Sequence, residues 1–200
     1  MSIDRRYDCL IFDLFGVVIA FDDSLVYKRL AQYCTNPATS LMAMRDLVSD
    51  PRLIRGKRDL EAVRHELAGS LGLHLSADQF RAMWCESYSE PMPGMKDLLR
   101  SLSASYRLVL LSNVDRYYWE VIRHNHAELN YFSTYLLSWE QGVAKPEPEA
   151  FRRAIAASNT EASRCFLVDD KTENIETAQR SGISGHLFTG VETLQLALAG

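Results

Sequence analysis

The chain has 200 residues, enough for one hydrophobic core of ordinary size or for one core with an inserted segment. It is 47% hydrophobic and 24% charged, with a formal net charge of −4 at pH 7, as is typical of a globular protein. This mild acidity offers no attraction to nucleic acid, and no apolar run is long enough to span a membrane, so we expect neither as a partner.

The cysteines and the amino-terminal segment indicate a cytoplasmic protein. Cys9, Cys34, Cys85 and Cys165 are widely spaced and form no CxxC pair, which favours reduced thiols over a disulfide framework or a zinc site. The residues before the first apolar run lack the pattern of a signal peptide.

The first predicted element is a buried strand at residues 8–12, a short and mostly apolar run that ends at Asp13. Ligands of open α/β sheets bind at the carboxyl ends of such strands, so Asp13 lies where chemistry is expected. Gly16 allows a sharp turn directly afterwards. An aspartate that only ends a strand and caps a turn is also compatible with this segment on its own.

The next segment, residues 19–90, is predicted to be helical and contains no convincing strand. Near its end Phe80, Trp84 and Tyr88 recur every four residues, which favours packing between helices over a ligand site. The predicted helices lie at about 25–34, 40–48, 59–70 and from 76 onward, with breaks at Asn36-Pro37 and Asp50-Pro51.

Strands and helices alternate from residue 91 to the end of the chain. Alternation of this kind predicts a parallel sheet with helices on both faces. We therefore predict an α/β fold, a three-layer Rossmann-like core of residues 1–18 and 91–200 with residues 19–90 inserted as a helical cap. The further strands are predicted at 107–111, 135–138, 165–168 and 186–188.

Polar residues follow these strands, or the loops beyond them, in four motifs. They are Asp13-Leu14-Phe15-Gly16-Val17, Leu110-Leu111-Ser112-Asn113, Lys145-Pro146, and Asp169-Asp170 followed by Asn174. In this order they resemble the haloacid dehalogenase-like hydrolase superfamily. The resemblance covers the whole chain and indicates the subclass with a helical cap. Within it, the sequence looks most similar to bacterial sugar-phosphate phosphatases that act on glucose 1-phosphate.

The resemblance implies a phosphatase that acts on a small phosphorylated molecule. Asp13 would attack phosphorus and form an aspartyl-phosphate, which divides one difficult displacement into two easier ones. Lys145 would neutralise charge on the nucleophile and on the phosphoryl group. The phosphate would be bound by Leu14, Phe15, Ser112 and Asn113, the first two through backbone N–H groups.

The resemblance also implies Mg²⁺, a cation that suits a site lined with oxygen atoms. Its ligands would be a carboxylate oxygen of Asp13, the main-chain carbonyl of Phe15, Asp170 directly and Asp169 through water. Asn174 would brace the loop that carries the two acidic residues. The sequence leaves the oligomeric state open.

One position departs from the family pattern. Most phosphatases of this family have a second aspartate two residues after the nucleophile, which acts as general acid and base, and here that position is Phe15. Such catalysis contributes about 10²–10⁴-fold. The chain could therefore favour good leaving groups, use another acid, or be a weak or inactive binding module. A metal-independent 2-haloacid dehalogenase is a further alternative, disfavoured because it would leave Asp169 and Asp170 unneutralised.

Overall fold

The computed structural model describes residues 6–48, 50–86 and 89–199. The strands are β1 (Cys9–Phe12), β2 (Ile19–Phe21), β3 (Ser89–Pro91), β4 (Arg107–Ser112), β5 (Thr134–Leu137), β6 (Cys165–Asp169) and β7 (Ser184–Leu187). The α-helices are α1 (Asp23–Ala31), α2 (Pro37–Val48), α3 (Pro51–Ile54), α4 (Leu60–Leu71), α5 (Ala77–Trp84), α6 (Met95–Ser103), α7 (Arg116–Asn125), α8 (Ser138–Gln141), α9 (Pro148–Ser158), α10 (Thr172–Arg180) and α11 (Val191–Ala199).

The main sheet has five parallel strands in the order β5-β4-β1-β6-β7. The central strand is β1, whose four residues are all fully buried. A strand with neighbours on both edges and helices on both faces has to be apolar on both sides, and this explains its continuous apolar run. The predicted parallel α/β fold is confirmed.

Alternate residues of the central strands enter two separate hydrophobic clusters. Leu10 and Phe12 of β1 pack in the same cluster as α6, α7 and α11 on one face. Cys9 and Ile11 pack on the other face, in the cluster that contains residues of α9 and α10. This period of two gives the fold three layers, helices over a sheet over helices.

Helices α1 to α5, which we name the helical block, form a third cluster of their own, built around residues such as Leu30, Met44 and Phe80. The breaks predicted at Asn36-Pro37 and Asp50-Pro51 lie at the boundaries between helices α1, α2 and α3. The predicted start of the second helix at residue 40 was wrong, because Pro37 is the first residue of α2, as Pro51 is of α3. Proline suits the first helical position because that residue needs no N–H partner and its φ is already helical.

The prediction that residues 19–90 lack strands was also wrong. β2 pairs antiparallel with β3, with Ile19 opposite Pro91 and Phe21 opposite Ser89. Each strand is only three residues long, too short for a period to show, and its partner is about 70 residues away in the chain. The limits of the cap domain stay a prediction, and Tyr88 lies outside the described residues.

Three smaller features complete the description of the fold. Ser138, predicted as the end of a strand, begins the four-residue helix α8. All four cysteines are free thiols. Across residues 6–48, 50–86 and 89–199, no helix is both long and apolar enough to cross a bilayer.

Candidate active site

The predicted catalytic residues meet at the carboxyl edge of the parallel sheet. Asp13 directly follows β1, and its backbone N–H donates to the carbonyl of Val168 in β6 at 2.9 Å. Ser112 is the last residue of β4, and Asp169 is the last residue of β6. The three positions lie on neighbouring strands that all run in the same direction, which explains why residues about 100 positions apart converge.

Lys145 connects two of the carboxylates. Its Nζ lies 2.8 Å from Oδ1 of Asp13 and 2.6 Å from Oδ2 of Asp169, and all three side chains are buried. Burial alone would lower the pKa of Lys145, but the charges of Asp13 and Asp169 outweigh it and raise that pKa, so the lysine stays cationic. Lys145 therefore places one positive charge between two buried carboxylates.

Asn113 fixes the position of Lys145 through the backbone. Its Oδ1 accepts from the N–H of Lys145 at 2.8 Å, and its Nδ2 donates to the carbonyl of Lys145 at 2.7 Å. Both polar groups of the Asn113 side chain are therefore engaged. This contact differs from the phosphate-binding role predicted from the sequence, which stays a prediction.

Asp13, Asp169 and Asp170 form what we name the acidic cluster, in which one carboxylate oxygen from each residue lies within 4.8 Å of the others. Lys145 bridges only Asp13 and Asp169, so the cluster of three carboxylates keeps an excess of negative charge. The carboxylate of Asp170 lies over the backbone of Gly16, where a Cβ would fall 2.5 Å from its Oδ2. A compact set of oxygen donors with excess negative charge fits Mg²⁺.

The pKa values of two carboxyl groups in the acidic cluster are raised. Burial raises the pKa of Asp13, and the adjacent Asp169 adds to this effect while Lys145 opposes it. Burial and Asp169 also raise the pKa of Asp170. Three neighbouring carboxylates, of which those of Asp13 and Asp169 are buried, resist simultaneous ionisation, and a bound cation would relieve this resistance.

Asp169 is held more completely than the other two acids. Its Oδ2 binds Lys145, while its Oδ1 accepts from the backbone N–H of Lys171 at 2.9 Å and from Nδ2 of Asn174 at 2.8 Å. Asn174 is therefore placed where a bracing residue is expected. Within the described part of the chain, no side-chain hydrogen bond to Asp170 is found, so its carboxylate remains open to a ligand.

Two of the predicted phosphate-binding groups differ in whether they already make a hydrogen bond. The Ser112 hydroxyl is buried and has no hydrogen-bond partner among the described residues, as expected of a donor kept for an incoming oxygen. The backbone N–H of Leu14 instead donates to Oδ1 of Asp13 at 2.6 Å. It would have to change partner to bind a phosphoryl oxygen.

Phe15 extends from the acidic cluster into a cavity of about 190 Å³ that we name the aromatic pocket. Its ring lies 4.7 Å from that of Phe21 and 5.9 Å from that of Tyr118, measured between centroids. The sequence did not identify this pocket, because Phe21 and Trp84 there read as ordinary core residues. The pocket is lined by Phe15, Phe21, Val26, Tyr27, Leu53, Ile54, Trp84, Asn113, Val114, Asp115 and Tyr118.

A parallel α/β sheet with this lysine and these acids at its carboxyl edge defines a hydrolase of the Rossmann-like class. A family model described as haloacid dehalogenase-like hydrolase matches residues 7–182. The chain belongs to the haloacid dehalogenase-like hydrolase family.

Curated relatives of the chain include two phosphatases. A D-ribitol-5-phosphate phosphatase of Bacteroides thetaiotaomicron is 27% identical over 180 residues, which cover 86% of this chain and 87% of the relative. A sesquiterpene phosphatase of Aspergillus oryzae is 28% identical over 141 residues, covering 70% and 72%. Neither is named for glucose 1-phosphate, so placement in that branch stays a prediction.

Solved structures share the fold over nearly the whole chain. A haloacid dehalogenase family enzyme from Bacteroides thetaiotaomicron, in complex with magnesium and inorganic phosphate, superposes with a TM-score of 0.76 at 26% identity, covering 92% of this chain and 95% of that one. An L-2-haloacid dehalogenase from Xanthobacter autotrophicus gives a TM-score of 0.64 at 19% identity, covering 90% and 76%. The second likeness extends to the fold alone.

Proposed function

We propose that this protein is a Mg²⁺-dependent phosphatase that hydrolyses a small phosphate monoester through an aspartyl-phosphate on Asp13. The observation that carries the proposal is the buried arrangement of Asp13, Lys145 and Asp169 beside the open carboxylate of Asp170. The two phosphatase relatives and the neighbour that binds magnesium and inorganic phosphate support it.

The reaction takes place in two displacements at phosphorus. In the first, a carboxylate oxygen of Asp13 forms a bond to phosphorus, and the bond from phosphorus to the ester oxygen breaks with its electron pair leaving on that oxygen. In the second, water attacks the same phosphorus, loses a proton to solvent, and releases inorganic phosphate while Asp13 regains its carboxylate. The sum is one ester and one water giving one alcohol and one phosphate.

The surrounding residues stabilise the negative charge that develops in these steps or position the groups that do so. Lys145 lies against Asp13 and balances the negative charge that builds up as a carboxylate meets a phosphate dianion. The unpartnered hydroxyl of Ser112 donates to a phosphoryl oxygen, assisted by the backbone N–H groups of residues 14 and 15. Asn113 acts as a positioning residue because it clamps the backbone of Lys145.

Mg²⁺ would be held by Asp13, Asp170 and the main-chain carbonyl of Phe15. When bound, it supplies positive charge to the phosphoryl group and the nucleophile. Asp169 fits an indirect contact through water, because hydrogen bonds already occupy both of its oxygens.

The experiment is hydrolysis of p-nitrophenyl phosphate by the wild type and by Asp13→Asn, with Mg²⁺ or with EDTA. This substrate has a good leaving group, so the absence of an aspartate at position 15 matters little. We expect turnover that is lost on chelation, restored by added Mg²⁺, and reduced at least about 10³-fold in Asp13→Asn, since the nucleophile is removed.

Other outcomes would favour the alternatives. A well-folded protein that binds Mg²⁺ and phosphate without any turnover would be a binding module. Release of chloride from 2-chloropropionate in the presence of EDTA would indicate a dehalogenase. The acidic cluster disfavours the latter, because one lysine faces three carboxylates and the excess negative charge would remain without a balancing cation.

A further inference from the structure

The aromatic pocket adjoins the residues that would hold the phosphoryl group. Phe15 is two residues after Asp13, and Asn113 directly follows Ser112, so both lining residues adjoin the groups that hold the phosphoryl group. From there the pocket extends to residues of the helical block, among them Tyr27, Leu53 and Trp84. A phosphate ester bound with phosphorus beside Asp13 would place its leaving group in this pocket.

Few polar groups in the pocket are available to a substrate. Both polar groups of the Asn113 side chain bind the backbone of Lys145. Asp115 caps α7, accepting from the N–H groups of Tyr117 and Tyr118 at 2.9 and 3.0 Å on Oδ1. Its other oxygen accepts from Nε1 of Trp84 at 3.1 Å.

The other described lining side chains are aliphatic or aromatic, and their polar groups are the hydroxyls of Tyr27 and Tyr118 and Nε1 of Trp84. Sugar hydroxyl groups buried here would lose water without gaining enough partners, at a cost in free energy. An aromatic ring has no hydroxyl groups whose hydrogen bonds to water would have to be replaced. It would contact Phe15, Phe21 and Tyr118, whose centroids lie 4.7 to 5.9 Å apart. Apolar cavities of about 150 Å³ hold benzene, so a cavity of about 190 Å³ has room for one ring.

The chemistry of the leaving oxygen points the same way. Asp115 is the sole carboxyl among the described lining residues, and its oxygens are bound as acceptors, so it is not placed to donate a proton. An ester oxygen that leaves unaided must carry negative charge well, as the oxygen of a phenol does. In that step the electron pair leaves as a phenolate, which takes its proton from water after departure.

We infer, on the basis of the proposed phosphatase function, that the substrates are phosphate monoesters of phenol-like aromatic alcohols about one ring in size, bound with the ring in the aromatic pocket. This substrate class differs from the sugar phosphates that the sequence suggested. Substrates of this class have an apolar ring that fits the pocket and an ester oxygen that can leave without an acid.

The test compares four substrates under Mg²⁺: phenyl phosphate, benzyl phosphate, D-ribitol 5-phosphate and acetyl phosphate. Acetyl phosphate is activated but has no ring, so it reports on the phosphatase activity without filling the pocket. We expect kcat/KM for phenyl phosphate to exceed that for D-ribitol 5-phosphate at least about 100-fold. Benzyl phosphate has the ring but its alkoxide leaves poorly, so its kcat/KM should lie between those of phenyl phosphate and D-ribitol 5-phosphate.

The variant Phe21→Ala removes one ring of the pocket. It should lower the ratio of kcat/KM for phenyl phosphate to that for acetyl phosphate about 10-fold. The matched control is Tyr7→Ala, which removes a partly buried ring packed on Phe166 near the opposite end of β1. The control should leave the ratio unchanged.

Binding without turnover gives an independent measurement. Benzylphosphonate should bind at least about 10-fold tighter than methylphosphonate in calorimetry, and Phe21→Ala should remove the difference. Equal binding of the two phosphonates, or hydrolysis of D-ribitol 5-phosphate in preference to phenyl phosphate, would overturn the inference while the phosphatase stands. Failure to hydrolyse even acetyl phosphate would count against the proposed function itself.

Discussion

Phe15 occupies the position at which most phosphatases of the family have an acid. Its backbone remains suited to the predicted metal contact, while its ring packs on Phe21 and Tyr118. The substitution therefore exchanges a proton donor for part of an apolar wall. Because the exchange concerns one side chain, a single substitution at position 15 can reverse it.

Phe15→Asp should restore an acid next to the ester oxygen. We expect the rate on benzyl phosphate, relative to phenyl phosphate, to rise about 100-fold, because only the poor leaving group gains from protonation. The control is Phe15→Asn, which removes the same ring and has a similar size but cannot donate the proton of a carboxylic acid. An equal gain in both variants would assign the effect to the lost ring and contradict the prediction.

Gly16 is required for two reasons that can be separated. Its φ is +80°, a conformation that costs other residues about 1–2 kcal/mol, and a Cβ there would fall 2.5 Å from Oδ2 of Asp170. Gly142 has a similar φ of +72°, but a Cβ there would meet no atom within 4 Å. The two positions therefore share the backbone cost and differ in the contact with the acidic cluster.

Gly16→Ala and Gly142→Ala should both lower the free energy of unfolding by about 1–2 kcal/mol, measured by urea denaturation. Only Gly16→Ala should also weaken Mg²⁺ binding, measured by calorimetry, because it displaces the carboxylate of Asp170. Mg²⁺ affinity that stays the same in both variants would argue against Asp170 as a ligand.

Among the elements, three helices of the helical block begin with a side-chain cap. Asp22 and Asp59 cap α1 and α4, where their carboxylates accept from backbone N–H groups of the first turn. Ser76 and Gln79 form a reciprocal capping box at the start of α5, in which the N–H of Gln79 donates to Ser76 and Oε1 of Gln79 accepts from the N–H of Ser76.

Ser76→Ala should lower the free energy of unfolding of the helical block by about 1 kcal/mol, since it leaves an N–H of the first turn unpaired. Ser101→Ala, at an exposed position inside α6, is the control and should change stability by less than about 0.5 kcal/mol. Denaturation followed by tryptophan fluorescence measures the unfolding, with Trp84 in the helical block and Trp119 in the cluster against the sheet. Equal stability of the two variants would show that the cap contributes nothing.

The buried strands and the site residues that follow them could be predicted from the sequence, because they depend on local pattern and on order along the chain. Buried strands that end in Asp13, Ser112 and Asp169 were visible because apolar runs stop abruptly at polar residues. The clamp of Asn113 on Lys145 was not, since it joins two loops 32 positions apart. Nor was the aromatic pocket, because a ring that faces a cavity and a ring that faces a core have the same spacing in the sequence.

At the scale of the whole molecule, the chain passes between the sheet and the helical block twice, and both passages lie in the β2–β3 ribbon. Other contacts join the two parts, among them Ser138 Oγ to the carbonyl of Ile54 at 2.5 Å and Arg55 to Glu147 at 2.8 Å. The ion pair is partly exposed and contributes little to stability. The ribbon is the covalent connection about which the block would turn.

Hydrogen exchange measures whether the block closes on a ligand. We expect the amides of β2 and β3 to exchange more slowly in the presence of Mg²⁺ and inorganic phosphate than without them, because closure suppresses local opening. The amides of β1, buried at the centre of the sheet, serve as an internal control with no change. Identical exchange in the ribbon under both conditions would contradict a closing motion.

The ribbon has a consequence for how such a protein can diversify. Phe21 and Ser89 lie opposite each other on paired strands, so the segment between them leaves and returns at almost the same point. A segment attached in this way can be lengthened, shortened or exchanged without rethreading the sheet, much as a hairpin tolerates a longer loop. The phosphoryl chemistry would stay with the sheet, while new substrates could be acquired by replacing a single continuous stretch of gene.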